Sequence, residues 1–384
     1  MGTLLKSMPL LCLLLGTTFT GYSQSKTDTI DNYSTFQRKF TLKSLIVGRY
    51  VTSLDKHVDY SGQHFINPEA NNQQVVSNSF ELQYARLSTG FKINDRFSSS
   101  ILVNLADFKN DDVSTKVLEN AFVTYSRSSY LNVRLGQFRP YFGLEDLHPF
   151  QLDNSYKWSN QYSLFGKNGW QSFQTGAAIY GNLTKKNIPF YYYLTTYNGN
   201  NKNQAGDNDS SKNYTLRFEY FPIKQLQLGV NAGVADYKGD QANAYGVDAK
   251  LIYPINDLWE IDVNAEYKQG TNFTDFRSAT ITNPNLSDYR MEGFYSLLKL
   301  RYKINTPRIR SIDFSFRQEY LDSNINQQGD ILRDYVPMLS MVFSGNYDSK
   351  ISLVGVFNDY QTNIPGTKNY DSTLFLIQYQ IAFQ

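Results

Sequence analysis

The sequence predicts an all-β fold, a transmembrane antiparallel barrel of about sixteen strands with short turns at one end and long loops at the other. Three observations predict it. Segments with apolar side chains at every second residue recur from Phe40 to the C-terminus, and such alternation marks strands with one apolar face. The connections between them largely alternate between short and long, the layout of barrels that cross a membrane. Tyr (30) and Phe (26) far outnumber Trp (3), and many stand at strand ends, where half-apolar rings suit a membrane–water interface.

The chain opens with an export address. Residues 1–23 read as a signal peptide: Lys6 gives a positive start, Met8–Leu15 an apolar core, and Gly21 and Ser23 a small-residue cleavage site. The core is too short to span a bilayer as a helix. Residues 24–384 then form the barrel domain, with 24–38 a polar lead-in.

The candidate strands lie near 40–50, 79–91, 97–105, 118–126, 131–138, 173–181, 189–197, 213–221, 225–235, 243–253, 258–267, 293–304, 310–320, 336–344, 350–358 and 370–384. The last is the clearest. Phe375, Ile377, Tyr379, Ile381 and Phe383 share one face, against Gln378, Gln380 and Ala382. Ile261, Val263, Ala265 and Tyr267 likewise oppose Asp262, Asn264, Glu266 and Lys268. The two segments near 40–50 and 79–91 alternate poorly, and a bulge is one explanation. A mean hydropathy of −0.46 would suggest a soluble chain, but alternation cancels that average.

Composition excludes several functions. Lys+Arg (37) nearly balance Asp+Glu (35), so no basic field for nucleic acid exists. Cys12, the single cysteine, falls within the segment to be removed, which leaves no thiol nucleophile or thiolate metal site. His57, His64 and His148 have no ligand spacing and no triad neighbours. No catalytic residue, metal or cofactor is expected.

The stretch Gly136-Gln137-Phe138-Arg139-Pro140-Tyr141-Phe142-Gly143-Leu144-Glu145-Asp146-Leu147 resembles the signature of the phosphate-selective porin O/P family. Weaker similarity lies at Phe80-Glu81-Leu82, at Tyr220-Phe221-Pro222 and in the aromatic C-terminal end. Two departures are the direct Arg139-Pro140 junction and Gln83-Tyr84 where the family often carries a basic pair, with Arg86 nearby. The resemblance implies a sixteen-stranded, homotrimeric outer-membrane porin whose third long loop, here Arg139–Ser172, folds into the lumen. It implies passive diffusion of small hydrophilic solutes, phosphate and other anions among them, and outer-membrane lipid around the barrel. A saccharide-guiding channel and a non-porin adhesin are the alternatives; neither reading is an enzyme.

Selectivity would reside in lumen charges. The face assignments put Arg134, Arg217, Lys250, Lys268, Lys299, Arg301, Lys303 and Arg317 on the wall, and the third loop adds Arg139, Lys157 and Lys167. Lys299-Arg301-Lys303 is the one clean basic row; it reads as an anion-guiding strip or as ordinary lumen salt bridging. The loop aromatics Tyr141, Tyr156, Trp158, Tyr162, Phe165 and Trp170 would either stack on sugar rings or pack the loop against the wall.

Overall fold

The computed structural model describes residues 38–384 apart from 110–116, 149–153, 205, 208–209, 238, 305, 344–348 and 384. The expected signal peptide (1–23), Cys12 and all but the last residue of the lead-in lie outside the described residues.

Sixteen antiparallel strands close into one barrel, each paired with its neighbours in sequence and the first with the last. They are β1 (Lys39–Ser53), β2 (Asn78–Lys92), β3 (Phe97–Asn104), β4 (Leu118–Ser128), β5 (Leu131–Phe138), β6 (Gln174–Asn182), β7 (Phe190–Tyr197), β8 (Asn213–Ile223), β9 (Leu226–Tyr237), β10 (Asp240–Pro254), β11 (Trp259–Thr271), β12 (Arg290–Lys303), β13 (Ser311–Asp322), β14 (Ile331–Val342), β15 (Ser349–Tyr360) and β16 (Ser372–Phe383). Each is one of the segments expected from alternation, with ends moved by up to five residues. Closure leaves no unpaired sheet edge, which a hydrocarbon surround demands.

The outward face is apolar and ringed at the short-turn end. Phe40–Phe91, Phe97–Tyr125, Phe190–Tyr220 and Trp259–Tyr302 sit directly opposite across strand pairs, with ring centroids 4.8–5.1 Å apart. Such pairs stabilise a sheet face and place rings at the lipid boundary.

Two bulges break the inner face on adjacent hairpins. Val47 pairs with Tyr84 and Gly48 with Leu82, so Gln83 is an extra residue in β2. Leu102 pairs with Asn120 and Val103 with Leu118, so Glu119 is an extra residue in β4. A bulge turns two successive side chains toward one face, which is why β2 alternates poorly in sequence. In β1 the reason differs. Its inner face is apolar, with Val47 and Val51 buried. Val51 packs with Val336, Met338, Val354, Val356 and Leu376 under Tyr156, with Tyr60 against the cluster.

The long connections all lie at one end of the barrel, where β9 and β10 alone are separated by only two residues.

Candidate functional site

The third loop, between β5 and β6, crosses the inner space and is fixed to the wall opposite. Two glycines of the signature permit this. Gly136 lies in β5 at φ +126, and a Cβ there would overlap the Ala121 carbonyl oxygen. Gly143, at φ +107, sits where a Cβ would collide with Glu266 and Lys268. Only glycine meets both conditions without strain. The bare backbone at 143–144 then docks: Gly143 N–H donates to Asn231 Oδ1 (3.0 Å) and Leu144 N–H to Glu266 Oε1 (2.8 Å). Phe142, Phe165 and Trp170 fill an apolar cluster with Phe273, Leu286 and Met291.

The loop carries its own carboxylates inside. Glu145 accepts from Ser159 N–H (3.0 Å) and from the Ser159 hydroxyl. Asp146 accepts from Phe142 N–H (3.0 Å). Burial, with the charge of Glu266 added, pushes the Glu145 carboxyl up to about 7. Burial pushes Asp146 up to about 6 against the pull of Arg139 and Lys268. Burial and the nearby Lys250 push the His148 imidazole down to about 4.

Where the loop meets the wall, ions are sealed in pairs. Arg217 is fully buried, 2.5 Å from Asp248 and 3.0 Å from Glu219. Lys299 lies 3.3 Å from Asp262 and donates to Asn154 Oδ1 (2.5 Å). Arg317 lies 2.7 Å from Glu319 and donates to Ser155 Oγ and the Lys157 carbonyl (2.6 and 2.8 Å). These three residues were expected to line the water path; they are buried and hold the loop instead. Arg301 sits 3.0 Å from Asp313 and 3.3 Å from Glu260, and Lys303 3.4 Å from Glu260. The row Lys299-Arg301-Lys303 is therefore salt-bridged along its length. Asp262 and Glu260 lie opposite Lys299 and Arg301 in the β11–β12 register, so aligning the two strands in sequence would have exposed the pairing. Lys250 is half-buried and close to His148. Lys157 donates to Asn160 Oδ1 (3.3 Å) within the loop. Arg134 is also half-buried; its guanidinium stands 3.9 Å over Phe122 and bonds Thr124 Oγ1 and Tyr180 Oη (both 3.2 Å).

On the other side of the loop a space of ≈ 610 Å³ remains between it and β2–β4. Three cations line it, Arg86, Lys167 and Lys202, against two carboxylates, Asp107 and Glu119. Arg86 pairs with Glu119 (2.8 Å) and Lys202 with Asp107 (3.6 Å). Lys167, in the short helix Asn160–Lys167, is exposed and has no ion pair among the described residues. The bulges aim at this space: Gln83, Tyr84 and Glu119 all line it.

Arg139 stands one layer behind. Its guanidinium lies 4.5 Å from the Trp158 ring centroid and 4.6 Å from that of Phe173. Its Nε has no acceptor among the described residues, and the Asp146 carboxylate lies close enough to feel its charge. The ring faces supply the attraction that would otherwise be missing. Tyr162 stacks on Trp158 at 4.4 Å and 19°, and both rings line the space. Trp170 and Phe165 are fully buried. The loop aromatics therefore pack the loop and hold a cation.

Lys202 and Arg86 were not among the expected site residues. Lys202 lies in the fourth loop, which two reciprocal amide pairs hold inward. Asn201 N–H donates to Gln174 Oε1 (3.0 Å) while Gln174 Nε2 donates to Asn201 Oδ1 (3.1 Å). Asn203 and Gln137 repeat the arrangement at 2.8 and 3.0 Å. Each glutamine thus imitates a neighbouring strand.

Comparison with known proteins agrees with this architecture. The family model described as phosphate-selective porin O and P matches residues 53–152. That segment contains the two bulges, Arg86, Glu119 and the signature to the start of the third loop. No curated protein matches in sequence. Solved channels match in fold. The OmpF porin of Salmonella typhi, solved with daunomycin, superposes with a TM-score of 0.58 at 14% identity, over 90% of this chain and 98% of that one. The outer membrane channel DcaP of Acinetobacter baumannii gives 0.56 at 12%, over 91% and 99%. An anion-selective porin from Comamonas acidovorans gives 0.54 at 9%, over 90% and 100%. The chain thus has the closed sixteen-stranded barrel fold of outer-membrane porins and is similar over residues 53–152 to the phosphate-selective porin O and P family.

Proposed function

We propose that the protein is a passive channel that prefers small anions, phosphate among them, and performs no catalysis. The carrying observation is the charge balance at the constriction. Of the charges that line the space, Lys167 has no ion pair among the described residues, while both acidic residues are already paired with cations. An anion entering there meets uncompensated positive charge between low-dielectric walls, where attraction exceeds its value in water. A charge cluster of one sign is what selects ions in a pore. The saccharide-guiding alternative needs free ring faces, and Trp158 already stacks with Tyr162 and holds Arg139. We also infer a homotrimer in outer-membrane lipid; one of the similar structures is a trimer form of the Vibrio cholerae protein OmpT.

The test is the reversal potential of the purified barrel in a planar bilayer under a potassium chloride gradient. The sign should favour chloride. The double variant Arg139→Ala with Lys167→Ala should lower the chloride-to-potassium preference about tenfold, ~1.4 kcal/mol. An unchanged reversal potential in a conducting double variant rejects the assignment.

A further inference from the structure

A second, smaller hollow opens among the long loops. It measures ≈ 170 Å³ and is walled by Asn200 and Asn201 of the fourth loop, by Asp236 and Tyr237 at the end of β9, and by Phe273 and Arg277 of the sixth. Lys167 and Asn201 line both this hollow and the constriction. A solute leaving the hollow past Lys167 is already at the narrow space.

Its chemistry differs from that of the constriction. Amide side chains dominate, and amides both donate and accept hydrogen bonds. Asn200 Nδ2 donates to the Gly206 carbonyl (2.9 Å), and its Oδ1 takes no donor. Asp236 is exposed and receives Ser211 Oγ (3.3 Å) and Gly239 N–H (3.0 Å) on Oδ1 alone. Tyr237 presents a ring backed by Phe273 at 5.5 Å. Amides, one carboxylate and a ring side by side suit hydroxyl groups on a carbon skeleton, because hydroxyls use donors and acceptors together. Two cations complete the wall. Arg277 and Lys167 are exposed and have no ion pair among the described residues. The volume equals that of roughly six water molecules, enough for one small polyol and too little for an oligosaccharide.

We propose that this hollow is an outer recognition site for small hydroxylated anions, the sugar-phosphate and sugar-acid class. The hydroxylated part rests among Asn200, Asp236 and Tyr237. The anionic end meets Arg277 and Lys167, and Lys167 passes it to the constriction. The inference rests on the anion-channel reading and extends it from a charge preference to a substrate class.

The experiment uses single barrels of the full chain in a planar bilayer. A potassium chloride gradient is applied first; absence of chloride preference overturns the channel reading and this inference with it. Glucose 6-phosphate, inorganic phosphate and glucose are then each added to the long-loop side, and the concentration that halves the current is read. Glucose 6-phosphate should block at about tenfold lower concentration than phosphate, and glucose should block least. Asn200→Ala with Arg277→Ala should remove that advantage, bringing glucose 6-phosphate and phosphate to the same blocking concentration. Both changes lie on surface loops, and heat-modifiable migration confirms that the variant is folded. Equal block by glucose 6-phosphate and phosphate in the parent protein overturns the site, as does an advantage that survives the double variant. Block by glucose as strong as by its phosphate overturns the class in favour of neutral saccharides.

Discussion

Charges inside this barrel divide by whether a carboxylate meets them. Arg217, with two acidic neighbours and no exposure, is a fastener. Arg139, between the rings of Trp158 and Phe173, has no ion pair among the described residues. Substituting the fastener strands Asp248 and Glu219 in a dry site, so Arg217→Ala should cost ~3–5 kcal/mol; urea unfolding of refolded barrels measures it, and a loss under ~1 kcal/mol would contradict the assignment. Glu145 and Asp146 give the loop a pH dependence of known sign. Their carboxyls stand above ordinary values in the docked loop. Docking is thus strongest below the usual carboxylate range and weakens as pH rises toward 7. His148 acts oppositely: its imidazole is pushed down to about 4, so its share is lost as pH falls. Amide exchange across residues 154–168, corrected for intrinsic rate, should slow between pH 7.5 and pH 5. Glu145→Gln should flatten the trend, and a trend as steep in that variant would remove Glu145 as its source.

Elements of the wall decide where the loops can go. The fourth loop reaches inward only because Gln137 and Gln174 each make a reciprocal pair with it, four hydrogen bonds worth ~1 kcal/mol each. Gln137→Ala with Gln174→Ala should release the loop. Limited proteolysis between 198 and 212 then accelerates, and chloride preference falls because the Lys202 charge is withdrawn from the constriction. An intact loop and unchanged preference would show the clamps to be incidental. This arrangement was not legible in the sequence. Asn201-Lys202-Asn203 has the composition of any exposed loop, and its partners lie 27 and 66 residues away. The bulges were legible only as a failure of alternation, since an inserted residue reverses which side chains face the lumen. What alternation does report is a side chain's face. It groups Lys299, Arg301 and Lys303 on one face of a strand and is silent on their partners, which register alone supplies.

For the molecule as a whole, strand count and closure followed from periodicity and connection length because lipid imposes both. A closed ladder of this size resists dodecyl sulphate at room temperature. The folded protein should migrate ahead of its boiled form, and loss of residues 372–384 should abolish the difference, since β16 closes on β1 over ten residue pairs. The paired bulges also separate two properties that a barrel would otherwise bind together. Girth is counted in strands and is fixed by the whole circuit. What the narrow point presents is held by Gln83 and Glu119, neither of which has a ladder mate at the bulge. A lineage can therefore exchange Gln83 alone, or Glu119 together with its partner Arg86, and so retune its diet, without redrawing the circumference of the wall.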